Sequence, residues 1–273
     1  MNYITLLGSA IFMPVVMLAQ DVSGNEFSEA IEDNSFFIEE AFNQERGIVQ
    51  HISTLIYFRS PSQDLMYGLT QEWPLWSQTH QLSFTIPYMS LAGGTLAGVG
   101  DILINYRYQL TDSRAWATAA PRLSFLLPTG RREEELGSDV VGLQLNLPVS
   151  KRLSEAVIAH ANAGVTILPG VDGTERSGAP VEKTIVSYIV GGSVILLAEQ
   201  WINFLLEGNV VFQGNLVDGE VVHSTEHVVS PGIRMAFDIG SLQIVPGLGI
   251  PFSIVDGATQ AGMFLYLSFE HPF

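Results

Sequence analysis

Cysteine is absent from the 273 residues, which removes disulfides, zinc thiolates, a cysteine nucleophile and a lipidated cysteine anchor from consideration. Basic residues are scarce and scattered: 12 Lys and Arg stand against 28 Asp and Glu, a formal charge of −16. Nucleic-acid phosphates call for clustered Lys and Arg, so no nucleic-acid partner is expected. Charged residues make up only 15% and mean hydropathy is +0.27. Yet after position 19 no uncharged apolar run approaches the roughly 20 residues that a spanning helix requires. The apolar content is dispersed, and with no linker-like break in composition the chain reads as one domain.

What the chain has instead is period two. Leu82, Phe84, Ile86 and Tyr88 alternate with Gln81, Ser83 and Thr85, and successive side chains of a strand point to opposite faces. Ile102, Ile104, Tyr106, Tyr108 and Leu110 alternate with Asp101, Asn105, Arg107 and Gln109 in the same way. The pattern recurs as Val141, Leu143, Leu145 and Leu147 against Gln144 and Asn146, as Ile202, Phe204, Leu206, Val210 and Phe212 against Asn203, Glu207, Asn209 and Gln213, and as Val229, Ile233, Met235 and Phe237 against Ser230, Arg234 and Asp238. With weaker candidates, twelve strands are predicted: 49–58, 65–75, 80–90, 98–110, 116–127, 139–149, 156–168, 184–197, 201–213, 227–238, 242–254 and 261–273. An even number of segments of about ten residues, alternating apolar and polar, predicts a closed antiparallel transmembrane β-barrel. Lipid tolerates no open sheet edge.

The links between these segments alternate in length, as periplasmic turns and outer loops do. Short links fall at 76–79, 111–115, 150–155, 198–200 and 239–241. Longer ones, rich in Gly, Pro and charge, are expected at 91–97, 128–138, 169–183 and 214–226. Pro121, Pro246 and Pro251 fall inside predicted strands, where each removes a ladder hydrogen bond, so bulges or shifted boundaries are expected there.

At the amino end, residues 3–19 form an apolar run that ends in Ala19 before Gln20 and Asp21, the pattern of a secretory signal peptide over 1–19. Residues 20–48 form an acidic segment in which Asn34 is a helix-cap candidate, Phe37, Ile38, Ala41 and Phe42 share one side of a short helix, and Gly47 stops it. Two readings of it stand: a plug or periplasmic lid, and a solvated acidic tail. The barrel then occupies 49–273. Its last strand sets Met263, Leu265, Leu267 and Phe269 against Phe264, Tyr266, Ser268 and Glu270 and closes on Phe273. That ending resembles the signal that bacterial outer-membrane barrels present to their assembly machinery.

Several phrases, in order, resemble one family: N-S-F-F-I-E-E-A-F-N-Q-E-R-G-I-V-Q-H at 34–51, T-Q-E-W-P at 70–74, H-Q-L-S-F-T-I-P-Y at 80–88, G-V-G-D-I-L-I-N-Y-R-Y-Q-L at 98–110, P-R-L-S-F-L-L-P-T-G at 121–130, G-L-Q-L-N-L-P-V-S-K at 142–151 and L-S-F-E-H-P-F at 267–273. Together they resemble the outer-membrane transporter family named for the MetA pathway of phenol degradation. The resemblance implies an outer-membrane barrel that passes small molecules, aromatic ones among them, and it does not identify the cargo.

Three motifs invite chemistry. His223-Ser224-Thr225-Glu226-His227 has the H-x-x-E-H form of a zinc-peptidase motif, but its valine flanks favour strand, where residues four apart are about 13 Å distant, too far to share one zinc. His51 and Ser53 share a face of the first strand, the beginnings of a lipid hydrolase that lacks an identified orienting group and oxyanion site; the plainer reading is a polar lumen or rim. The charges of 131–135 and 172–175 read as solvated outer loops. No metal and no cofactor is expected.

The expected working residues face inward: Asp101, Asn105, Arg107, Arg122, Gln144, Asn146, His160, Asn162, Asn203, Glu207, Arg234, Asp238 and Glu270. A Lys or Arg facing lipid near the midplane costs about 2–4 kcal/mol, so alternation assigns these groups to the lumen. There the arginines and carboxylates are expected to pair across the lumen and narrow it. No nucleotide-binding loop or energy-coupling motif is present. The sequence thus predicts a non-enzymatic bacterial outer-membrane channel for passive flow of small, aromatic or hydrophobic solutes. Its other expected partners are outer-membrane lipids and the assembly machinery. A lipid hydrolase and a non-conducting structural barrel are the alternatives.

Overall fold

The computed structural model describes residues 35–59, 62–111 and 115–273. Most of them lie in strands whose backbone groups are paired with neighbouring strands, as hydrocarbon demands. In chain order the strands are β1 (Ile48–Phe58), β2 (Asp64–Leu75), β3 (Ser77–Leu91), β4 in two pieces (Leu96–Val99 and Ile102–Tyr108) and β5 in two pieces (Thr118–Ala119 and Arg122–Leu127). Then come β6 (Gly142–Ser154), β7 (Val157–Thr174), β8 (Pro180–Glu199) and β9 (Ile202–Val217). The last three are β10 (Glu220–Met235 and Phe237–Ile239), β11 (Leu242–Gly249 and Phe252–Val255) and β12 (Ala258–Pro272). Each pairs antiparallel with its neighbour in sequence, and β1 pairs with β12 from Ile48↔Pro272 to Phe58↔Gly262. The sheet is therefore a closed barrel of twelve strands, the architecture of bacterial outer-membrane proteins.

Alternation sets the two faces. On β6 the side chains of Leu143, Leu145 and Leu147 are exposed on the outer wall while Gln144 and Asn146 are buried within. On β9 Phe204, Leu206 and Phe212 point outward and Asn203, Leu205, Glu207 and Asn209 inward. Trp76, Trp116, Trp201, Phe237 and Phe273 lie exposed near the rim where both barrel ends meet, an aromatic girdle at the periplasmic interface.

The prolines break hydrogen bonds but not register. Pro121 and Pro251 sit in the gaps of β5 and β11, yet the pairings on either side continue in step, and Pro246 stays opposite Leu267. Neighbouring N–H groups use the proline carbonyls instead: Tyr108 N donates to Pro121 O at 3.0 Å and Gly262 N to Pro251 O at 2.8 Å. The bulges expected at these prolines are absent from the described residues. One occurs in β4 instead, where residues 100–102 face residues 86 and 87 of β3 between the pairs Tyr88↔Val99 and Thr85↔Leu103.

Two predicted outer loops are strand. The stretch 214–226 is a continuation of β9 and β10 joined at Asp218-Gly219, whose φ values are 51° and 83°, and positive φ at both central residues marks a type I′ hairpin. Within 169–183 only residues 175–179 turn. Glycine and charge made these stretches look like loops, but beyond the membrane a strand with two wet faces has the same composition. The loop at 128–141 does form. It carries a 3₁₀ turn at Arg132–Glu134 and buries Leu136.

The short helix expected before the barrel does not appear in its described part: residues 35–47 run as bends and irregular chain with a turn at 46–47. Asn34, the rest of 20–34 and the signal segment 1–19 lie outside the described residues.

Candidate functional site: a lumen occupied by residues 35–47

The segment before β1 is inside the barrel. Ser35, Phe36, Ile38, Glu39, Glu40, Ala41, Asn43 and Gln44 are all buried to 1% exposure or less. A chain without helix or ladder must satisfy its N–H and C=O groups some other way, and here the inward side chains of the wall do it. The Glu207 carboxylate accepts the N–H of Phe36 at 2.6 Å and of Phe37 at 2.8 Å. Asn162 on β7 accepts from Glu39 N at 2.8 Å and donates to Glu39 O at 2.7 Å, as a neighbouring strand would. Ser150 accepts from Ala41 N at 2.7 Å and is bonded in turn to His160 Nδ1 at 2.7 Å. Gln109 bonds Asn43 N and Ala41 O, and Gln81 accepts from Gln44 N at 2.6 Å.

Two arginines hold the acidic side chains of the plug. Arg122 meets Glu39 with Nε at 3.0 Å and Nη2 at 2.6 Å; Nη2 also donates to Gln144, and Nη1 donates to Asn105 and Ser124. Arg107 donates to Asn43 Oδ1 at 2.8 Å, to the carbonyls of Glu40 and Phe42 and to Gln81, with the Glu40 carboxylate 3.7 Å away. Arg234 is fully buried; its guanidinium makes no hydrogen bond to the described residues and lies with Cζ 4.7 Å over the Tyr266 ring.

The far end of the plug is held by shape. The Phe36 ring stacks on Phe264 at 4.8 Å between centroids and tilts against Tyr266 at 5.8 Å. It reaches the wall because three inward positions of β10 and β11 are glycine: a Cβ on Gly232, Gly247 or Gly249 would stand 2.5, 2.7 or 3.1 Å from the ring. A Cβ on Gly191 would meet Ile38 at 2.6 Å. The glycines are thus the walls of an aromatic pocket inside an otherwise polar waist.

Of the residues expected in the lumen, Asn105, Arg107, Arg122, Gln144, Asn146, His160, Asn162, Asn203, Glu207, Arg234 and Glu270 are inward and buried. Their arrangement differs from the expected cross-lumen network, because Arg107 and Arg122 pair with the plug rather than with the opposite wall. Asp101 and Asp238 are elsewhere. The Asp101 carboxylate, in the β4 bulge, accepts from Gly130 N at 3.0 Å, Ser138 N at 2.8 Å and Ser138 Oγ at 2.6 Å, which pins both ends of the outer loop. Asp238 is exposed at the periplasmic rim and accepts from Gln243 at 2.9 Å.

Glu39, Glu40, Asn43 and Phe36 were missed as site residues. The one sequence signal for them was an acidic segment beside a barrel whose inner face holds arginine. The two catalytic-looking motifs do not assemble. His223 and His227 lie on strand β10. His51 and Ser53 face outward, since Gln50, Ile52 and Thr54 are the buried residues of β1. Ser53 Oγ is 3.2 Å from Tyr67 OH and His51 Nε2 is 3.3 Å from His271 Nε2; no hydrogen bond joins His51 to Ser53 among the described residues.

No family model matches the chain, and no curated protein matches it. Among solved structures, the fold is similar to an outer membrane channel from Pseudomonas putida F1, at 14% identity over 93% of this chain and 100% of that one with a TM-score of 0.59. It is also similar to the NanC porin, at 8% identity over 81% of this chain and 98% of that one with a TM-score of 0.51. Likeness over such lengths at such low identity is a likeness of fold, and it agrees with the twelve-stranded outer-membrane barrel traced above.

Proposed function

We propose that this chain is a passive outer-membrane channel for small solutes, aromatic or hydrophobic ones among them, and that residues 35–47 close its waist at rest. One observation carries the reading: the plug is non-covalent, gripped by wall side chains acting on its backbone and by two arginines on its glutamates. Such contacts rupture singly and reform, which suits a stopper better than a permanent strut. The Phe36 pocket supports the aromatic part, because a flat ring displacing Phe36 finds Phe264, Tyr266 and three glycine walls already in place. The resemblance of 34–273 to the transporter family of phenol degradation points the same way. So does the likeness in fold to a solved channel.

On this reading the inward residues also set which solutes pass. Asn105, Gln144 and Asn146 line the route beside the plug, while Arg107, Arg122 and Glu207 hold the plug itself. The hydrolase alternative is less favoured: Ser53 Oγ lies 3.2 Å from Tyr67 OH, whereas a nucleophilic serine needs a base within hydrogen-bond reach.

Planar-bilayer recording tests the proposal. The full chain is expected to show low or intermittent conductance, and deletion of residues 35–46 or Phe36→Ala a larger and steadier one. A deletion variant that folds and still passes no current would favour the non-conducting structural barrel. Hydrolysis of phospholipid esters, abolished by Ser53→Ala, would favour the hydrolase.

A further inference from the structure

The seam where β1 meets β12 carries a pair of histidines that neither the plug nor the lumen uses. His51 and His271, 220 residues apart in sequence, meet on the outward face with Nε2 atoms 3.3 Å apart, ring centroids 5.4 Å apart and 22° between ring planes. His271 Nδ1 is 2.8 Å from the carbonyl oxygen of Pro272. A carbonyl only accepts, so that bond places the proton of the neutral ring on Nδ1 and leaves the Nε2 lone pair aimed at His51. This outer bond to a carbonyl is the one by which metal-ligating histidines are oriented. The backbone beneath is held by the residue-by-residue pairing of the two strands, and the terminus is tied by Phe273 N to Gly47 O at 3.0 Å.

The separation matches a metal. Two imidazole nitrogens bound tetrahedrally to zinc at about 2.0–2.1 Å stand about 3.3–3.4 Å apart, the distance found here, and only a modest swing of each ring turns both lone pairs on one ion. We infer that His51 and His271 form a two-imidazole clamp for a divalent transition-metal ion of the zinc type, across the first and last strands of the barrel. Imidazole selects zinc, copper or nickel over magnesium or calcium. No group of three or more acidic or histidine ligands occurs among the described residues, so water or a lipid phosphate oxygen completes the coordination, and the ion exchanges. Bound metal ties strand one to strand twelve and resists opening of the seam.

The test uses the untagged full chain, folded in detergent micelles and stripped with chelator. Zinc is titrated calorimetrically, and the temperature at which the folded band converts to the unfolded one on a gel is followed with and without zinc. One saturable site per chain is expected, with a conversion temperature that zinc raises and EDTA restores. His51→Ala and His271→Ala, and the milder His51→Gln, are each expected to weaken binding at least tenfold and to abolish the shift. Their folded-band mobility serves as the check that they fold. A His223→Ala/His227→Ala variant should keep both properties. Absence of saturable binding to folded wild type would reduce the pair to a hydrogen bond between neutral rings and overturn the inference. So would undiminished binding by folded His271→Ala, equal binding of magnesium, or loss of binding only in the His223/His227 variant.

Discussion

Arg122 on β5 meets Glu39 of the plug through a hydrogen bond, Nε to Oε2 at 3.0 Å, and a close ion-pair approach, Nη2 to Oε1 at 2.6 Å, with both side chains at 1% exposure or less. The planar guanidinium fork fits a carboxylate in this way and no lysine reproduces it. With Arg107 and Glu40 it is where the wall and the plug are charge-matched.

Breaking that pair from one side should cost more than removing it. A lone buried charge is penalised by about 3–5 kcal/mol, whereas replacing both partners with apolar groups is near neutral. Arg122→Met and Glu39→Met are each expected to loosen the plug and raise conductance, and the double variant to restore much of the closed state. A double-mutant cycle on the closed fraction in bilayer recordings measures the coupling, and simple additivity of the two single effects would contradict it.

The Phe36 ring is held by packing, apart from the bond of its backbone N–H to Glu207, so the ring's contribution should scale with lost volume. Phe→Ala in a packed site costs about 3–5 kcal/mol. Gly247→Val should do the same from the other side, because a Cβ there would stand 2.7 Å from the ring. Both variants are expected to expose residues 35–47 to protease added at the periplasmic side, with Phe36→Leu intermediate. Equal protection of all four proteins would show that the ring is not an anchor.

Asn162 replaces a strand partner for Glu39, giving one acceptor and one donor to its backbone. Each such bond contributes about 1 kcal/mol net, and leaving its partner buried and unpaired costs about 1–3 kcal/mol. Asn162→Leu should therefore destabilise plug docking by a few kcal/mol, and Asn162→Asp as much or more, since it removes the donor and adds charge beside Glu39. Amide hydrogen exchange at Glu39 reads this directly, with faster exchange expected in both.

Asp101 should govern the outer loop without touching the plug. Asp101→Ala releases Gly130 N and both groups of Ser138, so trypsin is expected to cut at Arg131 or Arg132 many-fold faster than in wild type. Closed-state conductance should change little. A loop still resistant to trypsin would mean that buried Leu136 alone holds it down.

Much of this molecule is readable from a period of two. Alternation sorted Leu143 from Gln144 and Phe204 from Glu207 because in a membrane barrel one face meets hydrocarbon and the other does not, and no substitution of a wet residue for an oily one goes unpunished. Outside the hydrocarbon that constraint lapses. The strand ends that flank the turns at Asp218-Gly219 and 175–179 accordingly read as loop over 214–226 and 169–183, although the Asp-Gly dipeptide is itself a hairpin signal. Asp101 and Asp238 follow the alternation but belong to a bulge and a rim, which depend on where the strand ends and bends.

By itself, then, the sequence determined the barrel, its twelve strands and which side chains turn inward, since each of these is set by neighbours one and two residues away and by the solvent on either side. Only the tertiary structure decided what fills the barrel and what meets across its seam. Glu39 lies 83 residues from Arg122 and His51 220 residues from His271, and contacts at that range are made by closing the sheet, which no local pattern of residues encodes.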